Sequence, residues 1–125
     1  MSEHLDRYME GWTKGDVEMV LSACAKDYVY DDPIDGRFTK ADIGTYVGSL
    51  PEGGLKLTEV ASEETGGLET TWFWWSLKAP AGSAVVSSEG AALTKVGRDG
   101  VHLTKVTYYA HPQITLAASK AETSA

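Results

Sequence analysis

The chain changes its hydrophobic period once, at Pro51. Before that residue, apolar positions recur at helical spacing. Residues 3 to 14 place Leu5, Tyr8, Met9 and Trp12 at i, i+3, i+4 and i+7, which predicts a helix with one apolar face. Gly15 fits its C-terminal cap, and Asp16 fits the N-cap of a second helix over about 17–25. That helix carries Val17, Val20, Leu21 and Cys24 on one stripe. "YVY" (28–30) predicts a short strand, ended by Pro33 and by an Asp35-Gly36 turn. "TKAD" (39–42) resembles a capping box with Asp42 in the place of the usual Glu. It opens a third helix with Ile43, Tyr46, Val47 and Leu50 on one face.

After Pro51 the period is that of strands. "LKLTEVASEE" (55–64) alternates, and "LETTWFWWSLKAP" (68–80), "AVVSSEGAALTKV" (84–96) and "VHLTKVTYYAH" (101–111) are long β-type runs. Turns fall at "APAGS" and "GRDG", and Gly90 is a candidate bulge. Three helices followed by four antiparallel strands define an α+β class. One domain over residues 1–112 is expected, with a small polar tail at 113–125 that should fray. The run at 68–80 carries aromatics on both faces, Trp72 and Trp74 on one, Phe73 and Trp75 on the other. One face meets the helices. The other needs a cover, and a second copy of the chain, making a homodimer, is the expected one; an exposed binding patch is the alternative.

Composition narrows the function classes. With 125 residues, 42% of them hydrophobic, the chain can bury a single sizeable core. A net charge of -7 leaves no basic stripe for nucleic acid. The single cysteine, Cys24, excludes an intrachain disulfide and a cysteine-clustered zinc site, and on a helix's inner stripe it reads as an inert buried thiol. His4, His102 and His111 show no ligand spacing, so no metal site is expected. No phosphate loop, nucleophile elbow or dinucleotide fingerprint points to a cofactor. The stretch "MSEHLDRYME" is acidic without an apolar signal core, and no apolar run approaches membrane length. A cytoplasmic protein with no membrane partner is the expectation.

"RYMEGWTKGD" followed by "YDDPIDG" is similar to the ketosteroid isomerases and the related SnoaL-like polyketide cyclases, within the nuclear transport factor 2-like (NTF2-like) superfamily. The resemblance spans roughly residues 4 to 111. It implies a cone-shaped barrel in which three N-terminal helices pack into a strongly curved antiparallel sheet. It also implies chemistry. The isomerases place an oxyanion-stabilising tyrosine eight residues before the aspartate of "GD", which here is Tyr8 before Asp16. Their general base precedes the proline of "DP", which maps onto Asp32, and a supporting tyrosine in the third helix maps onto Tyr46. One element of the pattern is missing. Where the family carries a second oxyanion acid, this chain has "SSEGAALTKV", with Gly90 or Ala92 at the position and Glu89 one residue out of phase.

The remaining candidates concern the pocket. Trp12, Trp72, Trp74 and Trp75 are flat apolar walls suited to a hydrophobic ligand, although core and dimer interface account for some of them. In such a fold the last strand can line the pocket, so His102, alternating with Tyr108, or His111 could partner Asp32. Asp31 and Asp35 read as solvated turn residues. Moving a proton beside a carbonyl needs a base of matched basicity and donors aimed at the enolate oxygen. The expectation is a cofactor-independent isomerase or cyclase acting on a small hydrophobic carbonyl compound. The alternative is a non-catalytic binding or interaction module on the same scaffold, with Asp32 as an Asx-turn residue and Tyr8 as a core hydrogen-bonding phenol.

Overall fold

The computed structural model describes residues 3–51, 53–81, 84–109 and 113–116. Helices α1 (Glu3–Lys14) and α2 (Val17–Ala23) come first, then strands β1 (Cys24–Asp32) and β2 (Gly36–Thr39), then helix α3 (Ile43–Gly48). The long strands β3 (Leu55–Thr65), β4 (Leu68–Ala81), β5 (Ala84–Gly97) and β6 (Gly100–Tyr108) follow, and then the short β7 (Gln113–Leu116). The strands form one curved sheet in the order β2-β1-β6-β5-β4-β3, left unclosed, with β7 beside the first residues of β5. The long strands pair antiparallel as expected, but β1 meets β6 in parallel. Gln113–Leu116, placed in the expected tail, is that β7 strand, while His111 and residues 117–125 lie outside the described residues. No described helix is long and apolar enough to cross a membrane.

The α1 stripe is buried at Leu5, Tyr8 and Trp12. At Gly15, φ is +69°, the left-handed conformation that glycine tolerates. The Asp16 and Gly15 amides reach back to the Gly11 and Trp12 carbonyls, a Schellman closure of α1. Asp16 then caps α2 by accepting from the Met19 amide at 3.1 Å. Gly11 lets the two helices cross closely, since a Cβ there would lie 2.7 Å from Val20 Cγ2. Helix α2 is two residues shorter than predicted. Cys24 already has extended backbone and opens β1, because pairing with Val101 of β6 takes over its main chain. Its thiol is buried, and burial pushes its pKa up to about 12.

Strand β2 was not foreseen. The turn at 33–35 returns the chain antiparallel to β1, pairing Asp32 with Gly36 and Tyr30 with Phe38. The "TKAD" box closes one turn ahead of its helix: the Asp42 carboxylate accepts from the Thr39 amide and hydroxyl, and α3 starts at Ile43. Ile43 and Val47 are buried. The core lies between the three helices and the inner face of the sheet, where Tyr28, Val96 and Val101 meet Leu5, Val20 and Ile43.

Gly90 does not bulge. It pairs in unbroken register with Trp75 on one side and Tyr108 on the other. What it supplies is room: a Cβ there would sit 1.9 Å from the Thr107 carbonyl oxygen. The irregularity falls instead at His102, where Lys95 pairs with Leu103 but Val96 pairs with Val101. The ring of His102 therefore leaves the inner face and lies between two carboxylates, Nδ1 at 2.6 Å from Asp27 and Nε2 at 2.7 Å from Asp99. Desolvation works against its charge, but bonding to Asp27 and Asp99 outweighs it and raises the imidazole pKa above the usual 6.5.

Two predictions follow from these strands. Gly90→Ala forces the Thr107 main chain away and should cost roughly 1–3 kcal/mol, read from chemical denaturation. An unchanged midpoint would contradict the close approach. For His102 the raised folded pKa means a stabilisation present below about pH 6.5 and lost as pH climbs through the folded value. The melting temperature should fall as pH rises above about 6.5, with a flatter profile in His102→Gln. Parallel profiles for the two proteins would remove the Asp27–His102–Asp99 coupling.

Candidate functional site

Side-chain parity along β1 makes the site. Tyr28, Tyr30 and Asp32 alternate inward, and Val29 and Asp31 outward. Asp31 is held outside by Lys105 at 3.2 Å and Arg37 at 3.6 Å, with its carboxyl held below the usual range chiefly by the Lys105 hydrogen bond. Asp32, only 3% exposed, is carried into the mouth of a cavity of about 190 Å³ between the helices and the sheet. Trp12, Leu50, Leu57, Phe73, Leu77 and Val106 give that cavity apolar walls.

A carboxylate in such surroundings needs donors. Asp32 Oδ1 accepts from the Ile34 amide at 2.8 Å and the Asp35 amide at 3.0 Å, an Asx turn closed over Pro33. The Tyr108 hydroxyl donates to Oδ2 at 2.8 Å and lies 3.0 Å from Oδ1. Tyr30 donates more weakly to Oδ2, at 3.4 Å. Both oxygens are therefore engaged, and the 3.4 Å contact of Tyr30 on Oδ2 is the weakest of these bonds, the one an incoming proton or donor displaces most readily. Burial, then the neighbouring carboxylate, raises the Tyr108 pKa, and burial above all raises that of Tyr30. Both phenols stay protonated and act as donors.

Deeper in the cavity is a second polar group. The Tyr8 hydroxyl lies 2.5 Å from the Tyr28 hydroxyl and 2.7 Å from Thr104 Oγ1, and Thr104 Oγ1 lies 3.4 Å from Thr94 Oγ1. Burial raises the Tyr8 pKa, so it too is a neutral donor. Tyr8 and Asp32 thus line one cavity, the first at its inner end and the second at its mouth beside the exposed Ile34. Among the described residues, no group of three or more His, Cys, Asp or Glu side chains is placed to hold a metal ion.

The sequence-predicted residues divide clearly. Asp32, Tyr8, Trp12, Tyr46 and Tyr108 come together around the cavity. Tyr46 does not support Tyr8; it donates to Asp35 Oδ2 at 2.5 Å, and Tyr28 takes the place beside Tyr8. Trp72 and Trp74 are corrections. They lie on the outer face, 46% and 49% exposed, while the alternate residues Phe73 and Trp75 face the cavity. His102 is a third correction, turned out of the inner face by its bulge. Glu89 points outward and is exposed, so β5 lines the cavity with Val86, Ser88, Ala92 and Thr94 and with no acid. Asp35, read as a solvated turn residue, is exposed yet also lines the mouth. The inward tyrosines of β1 and the threonines of β5 and β6 went unnoticed. Period-two reading of "YVYDD" back from Asp32 would have found Tyr28 and Tyr30.

Comparison with known proteins agrees with this architecture. Residues 5–106 match the SnoaL-like domain family. No curated protein matches the chain. A Catenulispora acidiphila protein with a ketosteroid isomerase-like fold, solved with trimethylamine, superposes with TM-score 0.67 at 15% identity over 86% of each chain. A Shewanella putrefaciens protein described as a SnoaL-like polyketide cyclase gives 0.62 at 13% identity, covering 86% of this chain and 80% of its own. An M. tuberculosis epoxide hydrolase of the LEH-like kind gives 0.63 at 14% identity, covering 84% and 79%. Identities this low establish a shared fold, the NTF2-like cone. With the family match covering most of its length, the chain belongs to the SnoaL-like domain family.

Proposed function

We propose that the protein is a cofactor-independent isomerase or cyclase that moves a proton on a small hydrophobic carbonyl compound. One observation carries the reading: a buried carboxylate whose Oδ2 holds one of its two donors only weakly shares an apolar cavity with a neutral phenol donor. Asp32 Oδ2 takes the proton from the carbon beside the carbonyl, and the electron pair of that bond moves onto the carbonyl oxygen. Tyr8 donates a hydrogen bond to the oxygen as its charge develops. The protonated Asp32 then returns its proton to a different carbon, completing an isomerisation. In a cyclase the enolate carbon instead attacks a second carbonyl of the same molecule, whose oxygen takes up the proton. Tyr108 and the two turn amides hold the carboxylate in place through both steps.

A binding module without turnover is the second reading, favoured by the absence of an inward acid on β5. The compartment belongs to the same proposal: a lone buried thiol suits the reducing cytoplasm. So does the oligomer. Trp72, Trp74 and Val60 are about half exposed on the outer face, where Tyr109 packs its ring 5.3 Å from that of Trp74. The same face carries Lys56, Lys95 and Lys105 together with Glu63 and Glu89, as the strand pairings place them. Both signs around an apolar centre suit a two-fold contact with a second copy.

The chemistry is tested by following deuterium uptake from heavy water into a cyclic β,γ-unsaturated ketone by NMR. Asp32→Asn should lower the exchange rate by roughly 10²–10⁴-fold, as loss of a general base does. Tyr8→Phe should lower it by roughly 10²–10³-fold. Ketone binding with no exchange in the native protein would leave the binding module standing. The dimer is tested by light scattering, which should give twice 13.4 kDa. Replacing Trp72 and Trp74 by serine should return a monomer; a native monomer refutes the pairing.

A further inference from the structure

The indole N–H of Trp12 is a buried donor that bonds to nothing. Trp12 is 6% exposed and lines the cavity, and its Nε1 has no hydrogen-bond partner. An indole nitrogen can only donate, so no change of tautomer or rotor relieves it. Buried donors of this kind are rare in folded proteins, and each calls for a reason. The other inward tryptophan shows the contrast: Trp75 Nε1 donates to both the Ala91 and Thr107 carbonyls at 3.2 Å.

Position supplies the reason. Trp12 follows Tyr8 by four residues on α1, so the two side chains share a face one turn apart. Their ring centroids lie 6.1 Å apart, edge to face. The N–H is near enough to the Tyr8 hydroxyl to favour its ionised form, yet it is not aligned on that oxygen as a hydrogen bond. The neighbouring hydroxyls are already engaged with one another, Tyr28 and Thr104 with Tyr8, and Thr94 with Thr104. Trp12 lines the cavity and so brings an unspent donor to its wall, where β5, with Ala92 and the outward Glu89, brings no acid.

We propose that Trp12 Nε1–H is the second donor to the ligand's oxygen, beside the Tyr8 hydroxyl, making Trp12 a catalytic residue. The inference rests on the proton-transfer reading above. As Asp32 Oδ2 removes the proton, the electron pair arriving on the carbonyl oxygen is met by the Tyr8 O–H and the Trp12 N–H together. Reprotonation at carbon collapses that charge, and both donors are released unchanged.

The test uses 2-naphthol, a flat phenol whose ionised form imitates an enolate, titrated into the full ¹⁵N-labelled chain at a pH where it is ionised. The Trp12 indole N–H resonance, assigned by its proximity to the Tyr8 ring, should move downfield far more than that of Trp72, Trp74 or Trp75. Trp12→Phe should weaken 2-naphtholate binding roughly 10- to 100-fold, the loss of one charge-assisted hydrogen bond. Binding of naphthalene, which has no oxygen, should stay within about twofold of the native value, because the apolar wall survives. If 2-naphtholate binds and the Trp12 resonance stays still, or if Trp12→Phe weakens both ligands equally, Trp12 is a wall and this inference alone fails. If 2-naphtholate does not bind, the proton-transfer reading falls with it. Should Trp12→Phe not fold, the resonance shift in the native chain decides.

Discussion

The structure depends on bringing hydrogen-bond donors to one carboxyl group held out of water. A lone ionised group buried in an apolar cavity would cost far more than a domain of this size can offset, so the chain must bring donors to it. Asp32 draws them from two directions. The turn at 33–35 folds back so that two consecutive amides meet Oδ1, and β6 delivers the Tyr108 hydroxyl to Oδ2. The second supply requires β1 to sit beside β6, and the parallel junction between them is what places Tyr108 opposite the end of β1. The hairpin to β2, the junction and the cavity mouth are therefore parts of one solution.

That solution is expensive elsewhere in the cone. A cavity of about 190 Å³ forgoes packing that a closed core would have made. The surrounding contacts are accordingly tight. Gly11 allows α1 to cross α2 with no gap, and Gly90 allows the Thr107 main chain to lie where a side chain would stand. The stacked and edge-on rings of Trp12, Tyr30, Phe38 and Tyr46 brace the mouth at centroid separations of 4.8 to 5.9 Å. Aromatic pairs at these distances add to area burial and hold side chains in single orientations. Rigid walls around an unfilled space are what a ligand site needs if it is to be formed before the ligand arrives.

The legible parts of the sequence are those fixed by local chemistry. The Gly15-Asp16 punctuation, the α1 stripe and the four long strands follow from caps and periods, and the structure has them. So does the inward position of Asp32, once strand parity is counted. What was not legible is set by pairing between distant segments. "TWFWW" is aromatic on both faces, so period alone cannot say whether Trp72 and Trp74 or Phe73 and Trp75 face inward; the helices decide. His102 has the parity of Tyr108, and only a one-residue slip against β5 and the exposed pair Asp27 and Asp99 turn it away. The end of α2 at Ala23 likewise yields to a partner strand more than seventy residues on. Local signals lose wherever main-chain hydrogen bonds to a far segment compete.

The same distinction explains how a cavity of this kind can change chemistry without changing fold. Asp32 and its turn amides come from one short stretch and are fixed together by β1. Tyr8 and Trp12 come from a single helical turn of α1, so their spacing is fixed by helix geometry. The carboxylate and the Tyr8–Trp12 pair therefore sit on two rigid elements whose mutual distance is set by the core, through Tyr28 bonding to Tyr8. Strand β5, by contrast, brings no charged side chain to the cavity: Val86, Ser88, Ala92 and Thr94 line it, and of these Thr94 alone joins the Tyr8 network, through Thr104. A substitution at Val86, Ser88 or Ala92 would alter the shape and polarity offered to a ligand while leaving Asp32 and its donors untouched. Specificity is thus free to vary on one wall, whereas the carboxylate at the opposite side is bound to the fold itself.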